Sequence, residues 1–294
     1  MGTLWNIEIA DRGRPSEASA AIDAAYTELG RIDQLMSEWK PMSPISQVNR
    51  AAGERPIPVP AELREMIERG KDYSRRSLGT FDITWRGMGS IWKFDDSFKV
   101  PSKEAVEVAR QRVNFERIQI RGDLVYLPKD MNIGLGGIAK GYAVDRAMQV
   151  LLSRGFTDAL VDGGGDVLVH GTRLGDPWRL GIQNPRAEHG TLLGTLPLHN
   201  AALVTSGDYE RFRMVDGIRY HHIINPRTGW PAKASISVTV IAPSTEVGVV
   251  MSKALFILGP ERGLRLAAAE KLEALIIDPS GKRHQTPGFP ALQP

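Results

Sequence analysis

GLGGIAKGYAVDRA, residues 134–147, runs four glycines and a lysine into an amphipathic pattern, and the fold turns on what that glycine turn does. As Gly134-x-Gly136-x-x-Ala139 it matches the looser dinucleotide fingerprint, with Asp158 and Asp162 near the distance of a ribose-binding acid. Such a turn predicts a Rossmann-type dinucleotide oxidoreductase. The P-loop spacing Gly-x4-Gly-Lys-Ser/Thr is absent. Two features oppose the dinucleotide fingerprint. Lys140 crowds the turn that a pyrophosphate needs, and the preceding YLPKDMNIG carries a proline and reads as a hairpin return. The plain alternative is that the glycines only let helix and strand pack closely.

Outward from the turn, Val144, Ala147, Met148, Leu151 and Leu152 mark one helix face, and Gly155 is placed to end it. ALVDGGGDVLVHG reads as two short strands around a glycine turn. Upstream, LWNIEIA reads as a strand, and Ile22, Tyr26, Leu29, Ile32 and Met36 mark a long helix that SPISQVN breaks. Pro60 opens a second helix carrying Leu63, Met66 and Ile67, and Ser102 caps a third. RIQIRGDLVYL is a hairpin turning at Gly122 and Asp123. Downstream, WRLGIQ, TLLGTLPL, ALVTSG, RYHHII and SISVTVIA read as strands. A helix follows from about Thr245 to Leu258, where Gly259-Pro260 terminates it. The strands cluster instead of alternating with helices, which favours an α+β class over a doubly wound sheet, in a single domain over 1–294.

With 294 residues, 42% of them hydrophobic, the chain can bury a core of its own. Its 37 basic and 34 acidic residues are nearly balanced, and no basic run follows a nucleic-acid backbone, so nucleic acid is not an expected partner. The absence of cysteine removes disulfides, thiolate nucleophiles and iron-sulfur clusters. No run approaches the roughly 18 apolar residues of a membrane span, and MGTLWNIEIA lacks the pattern of a signal peptide. The expectation is a soluble chain or a mature exported one.

Several side chains suggest chemistry. HHIINPRTG sets His222 at a strand edge before the Asn225-Pro226 turn, and an imidazole titrates near neutral pH. A general base and a satisfied strand histidine fit that position equally. His221, on the opposite strand face, reads as structural or solvated. In TSGDYERF, Thr205, Ser206 and Gly207 form either a turn facing an anion or an ST-turn ending a strand. Asp162 and Asp166 bracket a turn that permits positive φ. Lys140 adds a cation where a helix start already favours negative charge; the alternative is a solvated lysine.

GGIAKGYAVDRA, VDGGGDV, TSGDYERF and HHIINPRTG, in that order, with FDIT and MGT upstream, resemble the ApbE family of FAD:protein FMN transferases over nearly the whole chain. The resemblance implies mostly antiparallel sheets packed with helices around a flavin-nucleotide pocket. It implies binding of FAD, cleavage of its pyrophosphate with a divalent metal, usually magnesium, and transfer of FMN to a threonine or serine of an acceptor flavoprotein. By the same resemblance, the nucleotide is held by Met1 of MGT, by Asp82 and Thr84 of FDIT, and by Gly136, Gly137, Ala139 and Lys140. Asp162, the run Thr205, Ser206, Gly207 and Asp208, and His222, Ile223, Asn225 and Thr228 complete the implied set. Trp92 also matches a family position, and the residue matching His222 activates the acceptor hydroxyl. Implied metal ligands are the Ala139 backbone and an aspartate and threonine four residues apart on a helix. Those two positions are Val249 and Lys253 here, and neither side chain can bind a metal. The family aspartate before the glycine run is replaced by Gly134. Lys253, one turn after Val249, can bring its ammonium toward the cation's place. A transferase and an FAD-binding protein that has lost the metal-assisted step therefore both stand, with the dinucleotide oxidoreductase third. Family habit suggests a periplasmic or cell-envelope location, with the cytoplasm left open. A membrane would be met only through an N-terminal anchor ahead of Met1.

Overall fold

A computed structural model describes residues 2–11 and 13–294, so Met1 lies outside the described residues. In chain order the elements are β1 (Trp5–Ile9), α1 (Pro15–Met36), α2 (Pro44–Arg50), β2 (Ile57–Pro58), α3 (Ala61–Arg76), α4 (Lys103–Arg110), β3 (Gln119–Arg121) and β4 (Leu124–Tyr126). After them come α5 (Ala139–Ser153), β5 (Ala159–Gly163), β6 (Asp166–His170), β7 (Trp178–Gln183), β8 (Leu192–Leu198) and β9 (Ala201–Gly207). The chain ends with β10 (Phe212–Val215), β11 (Ile218–His221), β12 (Ser237–Ala242), α6 (Thr245–Ala269), β13 (Glu273–Ile277) and β14 (Arg283–Gln285). They form two compact units, each made of separated chain segments.

The first unit comprises the chain up to Asp33, Ile138–Gly207 and Ala234–Pro294. It is built on a seven-stranded sheet in the order β1-β5-β6-β9-β12-β13-β14. Every pairing in that sheet is antiparallel, which is incompatible with the parallel βαβ unit of a dinucleotide fold. The Rossmann alternative fails on this topology, and the α+β expectation holds. Burial alternates along β5, where Ala159, Val161 and Gly163 point inward. It alternates along β7 too, where Trp178, Leu180 and Ile182 are buried. With Leu196 and Leu198 of β8, those three pack on Val169, Leu203, Leu275 and Phe289. Each such side chain contributes roughly 1.5–3 kcal/mol of burial.

Helices α5 and α6 carry the glycine run's continuation and the positions at which the family pattern is broken. A Cβ at Gly141 would lie 2.6 Å from the Thr245 carbonyl oxygen and 2.8 Å from Val249 Cγ2, so this glycine exists to let α5 press against α6. Asp145 of α5 accepts from the amides of Thr245 at 2.7 Å and Glu246 at 2.9 Å, satisfying two donors at the start of α6. Helix α6 does not stop at Leu258. Gly259 takes φ 75° and ψ −179°, and the helix resumes through Ala269. The glycine interrupts the ladder, and Pro260 then suits the first turn of the continuation, where no amide donor is required.

The second unit comprises Gln34–Gly137 and Asp208–Lys233. SPISQVN, expected to be a break, forms helix α2: the Ser43 hydroxyl accepts from Ser46 N at 3.1 Å and Pro44 occupies the first turn. Helix α3 and the Ser102-capped α4 follow the sequence expectation. Beyond β4 the chain is irregular and forms no hairpin return. Instead the Asn49 side chain receives the Ile133 amide at 2.7 Å and donates to the Ile133 carbonyl at 2.9 Å, doing the work of a paired strand. Strand β11 ends at His221, short of the expected RYHHII, and pairs with β10, whose four residues are too short a run to show a strand period. Trp92 anchors an aromatic cluster with Phe94, Phe98, Tyr220 and Trp230, and its indole donates to the Gly229 carbonyl at 2.8 Å. Among the described residues no helix is long and apolar enough to cross a membrane.

Candidate functional site

The chain passes from the second unit to the first inside the glycine run, between Gly137 and Ile138, and back again between Gly207 and Asp208. Candidate residues therefore fall into two groups. In the first unit, Lys140 lies in the opening turn of α5, and its ammonium is 2.9 Å from Asp166 Oδ2, so it is an ion-paired side chain. Asp166 is 5% exposed at the start of β6. Asp162, on β5, accepts from Gly165 N at 2.7 Å across a turn in which Gly164 and Gly165 take φ of 72° and 89°. Burial raises the Asp162 carboxyl above its ordinary range, and the nearby Asp166 adds to that.

Thr205, Ser206 and Gly207 are not a turn; they complete strand β9. The Thr205 hydroxyl meets that of Thr239 on β12 at 2.8 Å, and the Ser206 hydroxyl meets that of Ser252 on α6 at 2.9 Å. Neighbouring Lys253 turns its ammonium back along the helix and donates to the Val249 carbonyl at 2.7 Å. Burial pushes the Lys253 ammonium down to about 8; the Asp166 carboxylate opposes the fall and Lys140 reinforces it.

In the second unit, Asp82 and Thr84 close on each other. Asp82 Oδ1 accepts from Thr84 N at 2.7 Å and from its hydroxyl at 2.6 Å, while Oδ2 accepts from Phe115 N at 3.2 Å. Thr84 Oγ1 in turn accepts from Asn114 N at 2.8 Å. Asp82 is thus a buried acid that satisfies backbone amides, and burial raises its pKa despite those bonds. Asp208 is buried with Arg219 Nε 3.9 Å from its carboxylate.

His221 is structural. Its Nε2 donates to the Ala232 carbonyl at 2.8 Å and its Nδ1 accepts from Ile223 N at 3.3 Å, which fixes its tautomer. Half-buried His222 lies one residue past β11, its backbone amide bonded to the Arg211 carbonyl at 3.1 Å. The loop beyond it is closed by Asn225, whose carbonyl accepts from Gly229 N at 2.8 Å and whose side chain accepts from Arg227 N at 2.9 Å. Thr228 Oγ1 receives Trp230 N at 3.3 Å. Ile223 is buried below this loop.

Of the glycine run, Gly136 alone would place a Cβ in open space, with no atom within 4 Å. Gly137 faces the Phe81 ring at 3.0 Å, and Gly134 faces Trp85 Nε1 and Arg86 Cβ at 3.0 Å. The sequence reading missed Glu38, Trp39 and Arg86. Leu135 N donates to Glu38 Oε2 at 2.9 Å, so one amide of the run is already satisfied by a carboxylate. Desolvation raises the Glu38 pKa, against the pull of Arg86. Arg86 lies 4.2 Å over the ring of Trp39, which is 75% exposed. A tryptophan in the polar, proline-bearing loop SEWKPMS was the available signal.

The residues present do not fit the divalent ion that the resemblance implies. Hard cations need oxygen donors, and no group of three or more His, Asp or Glu among the described residues is arranged to hold a metal. Val249 is apolar and buried, its carbonyl is taken by Lys253, and the space beside Gly134 is filled by Trp85 and Arg86.

Comparison with known proteins agrees with the topology. The ApbE family model matches residues 1–276. The FAD:protein FMN transferase of Treponema pallidum is 31% identical, the alignment covering 98% of this chain and 85% of that protein. Its namesake in Escherichia coli K12 is 28% identical over 97% of this chain and 84% of its own length. Among solved structures, the ApbE protein of Thermotoga maritima superposes with a TM-score of 0.88 at 29% identity, covering 97% of this chain and 94% of that one. The flavin transferase ApbE of Vibrio cholerae gives 0.87 at 26% identity, with 98% and 95% covered. A chain with this antiparallel sheet, matched along almost its full length in sequence and in backbone, is a member of the ApbE family.

Proposed function

We propose that the chain binds FAD and transfers its FMN moiety to a threonine or serine of an acceptor flavoprotein. The observation that carries this is the match over 98% of the chain to a relative named for that reaction. In the reaction, the acceptor oxygen bonds to the FMN phosphorus, the bond from that phosphorus to the bridging oxygen breaks, and AMP leaves with the electron pair. The hydroxyl proton passes to the His222 imidazole, which stands at a strand end beside a tightly bonded loop. Lys140 and Lys253 supply positive charge for the phosphates. Gly136, with open space beside it, admits the nucleotide to the backbone. The exposed Trp39 ring offers a flat apolar face for one of the nucleotide's ring systems. Asp82, Thr84, Asn225 and Thr228 are held by hydrogen bonds within the second unit.

Incubation with FAD and a threonine-bearing acceptor domain, followed by intact mass, tests the reading. The expected result is the gain of one FMN with release of AMP. Tight FAD binding with an unchanged acceptor mass points to the second reading, a flavin carrier without transfer, which the altered Val249 and Lys253 positions favour. Binding of NAD in place of FAD overturns both.

A further inference from the structure

Within the first unit, two ammonium groups share one carboxylate. Lys140 pairs directly with Asp166 at 2.9 Å, while Lys253, whose stem runs back along α6 to the Val249 carbonyl at 2.7 Å, feels both of them. Asp162, whose carboxyl feels both Asp166 and Lys140, is the fourth group of the cluster, and the Lys253 ammonium is bonded to a backbone carbonyl and not to a carboxylate. Lys253 is also held from the side: Ser252, next to it, shares the Val249 carbonyl at 3.4 Å and bonds Ser206 of β9 at 2.9 Å. A half-buried ammonium that is bonded to a carbonyl and not to a carboxylate is costly unless an anion completes it. We propose that Lys253, with the Lys140 and Asp166 pair, is the built-in cation of this protein and binds the diphosphate of a nucleotide without a divalent metal. The proposal rests on the nucleotide-binding part of the function above and goes beyond it by naming what replaces the family's metal.

A lysine is a point charge with rotatable donors. It neutralises a diphosphate but does not clamp two of its oxygens in fixed geometry as a divalent ion does. Binding is therefore retained without metal, and any transfer step is slow and equally indifferent to metal.

Calorimetric titration of the full chain with ADP, in EDTA and again in magnesium, is the test. The expected result is binding that differs less than about twofold between the two buffers. Lys253→Met should weaken ADP by roughly ten- to a hundredfold, the range of one charge-assisted hydrogen bond. Lys253→Arg should keep most of the affinity, which separates charge from fold. Val249→Asp with Lys253→Thr should bind ADP only with magnesium. The proposal is overturned if wild-type protein binds ADP only with magnesium, if it binds no ADP at all, or if a folded Lys253→Met binds as well as wild type. Transfer that needs magnesium sinks this inference and leaves the proposed function standing. Metal-free, Lys253-dependent ADP binding with no transfer to any acceptor does the reverse.

Discussion

Two adjacent histidines, alike in sequence, divide their roles by hydrogen bonding. His221 is committed on both ring nitrogens, so His221→Ala removes a buried hydrogen bond and leaves a void. It should lower stability by roughly 1–3 kcal/mol, seen as a lower denaturant midpoint. His222→Ala should leave that midpoint near wild type and the FAD affinity little changed, while transfer falls about 10²–10⁴-fold in a single-turnover assay. A transfer rate that survives removes His222 from the mechanism. At this scale the sequence was partly legible. His222, Lys140 and the broken pair at Val249 and Lys253 lay in recognisable strings, because their chemistry depends on residue type. The Lys140–Asp166 ion pair and the bonding of Glu38 to the glycine run were not visible, since each joins residues far apart in the chain.

Elements were readable where local signals agreed and hidden where distant packing decided. Ser102 and Pro60 announce their helices, yet Ser43 and Pro44 carry the same signal for α2, a helix of 7 residues that is too short to show a helical period. Gly259-Pro260 looked like a stop, but Ala234 fills the place a Cβ would need, 2.8 Å away, and the helix continues beyond the kink. Gly141→Ala tests the same kind of logic. Helix propensity favours alanine by about 1 kcal/mol, but the added Cβ strikes the Thr245 carbonyl, and overpacking costs roughly 1–3 kcal/mol. The variant should melt a few degrees lower, and a higher melting temperature would show that α5 and α6 can part at no cost. Glu28 on α1 bonds Arg31 of its own helix and Arg146 of α5, and these bonds hold its carboxyl down at about 2. Its pKa in the unfolded chain is higher, about 4.3, so its contribution is complete above that pH and is lost as the pH falls toward 2. Glu28→Gln should flatten that part of the acid-unfolding curve and leave neutral stability only slightly lower.

Across the whole molecule, both compact units are assembled from chain segments that lie far apart. The aromatic cluster around Trp92 takes Tyr220 and Trp230 from the segment after β9, so residues 34–137 expressed alone should lack a closed core. Such a fragment is expected to bind a hydrophobic dye and to melt without a sharp transition, whereas a cooperative melt would show that β10 and β11 are dispensable to the unit. No local pattern in the sequence announces that discontinuity, because periodicity reports faces of elements and not which distant element covers them. The distribution of tryptophans has an optical consequence. Trp178 is 2% exposed in the core of the first unit and Trp92 5% exposed in that of the second, so each unit carries its own blue-emitting probe of unfolding. Trp39, bathed in solvent under Arg86, emits at the red edge, where a bound flavin would quench it by energy transfer. A red shift of the buried tryptophans' emission on unfolding reports the loss of the cores, and quenching on addition of FAD tests the proposed binding, with no label attached.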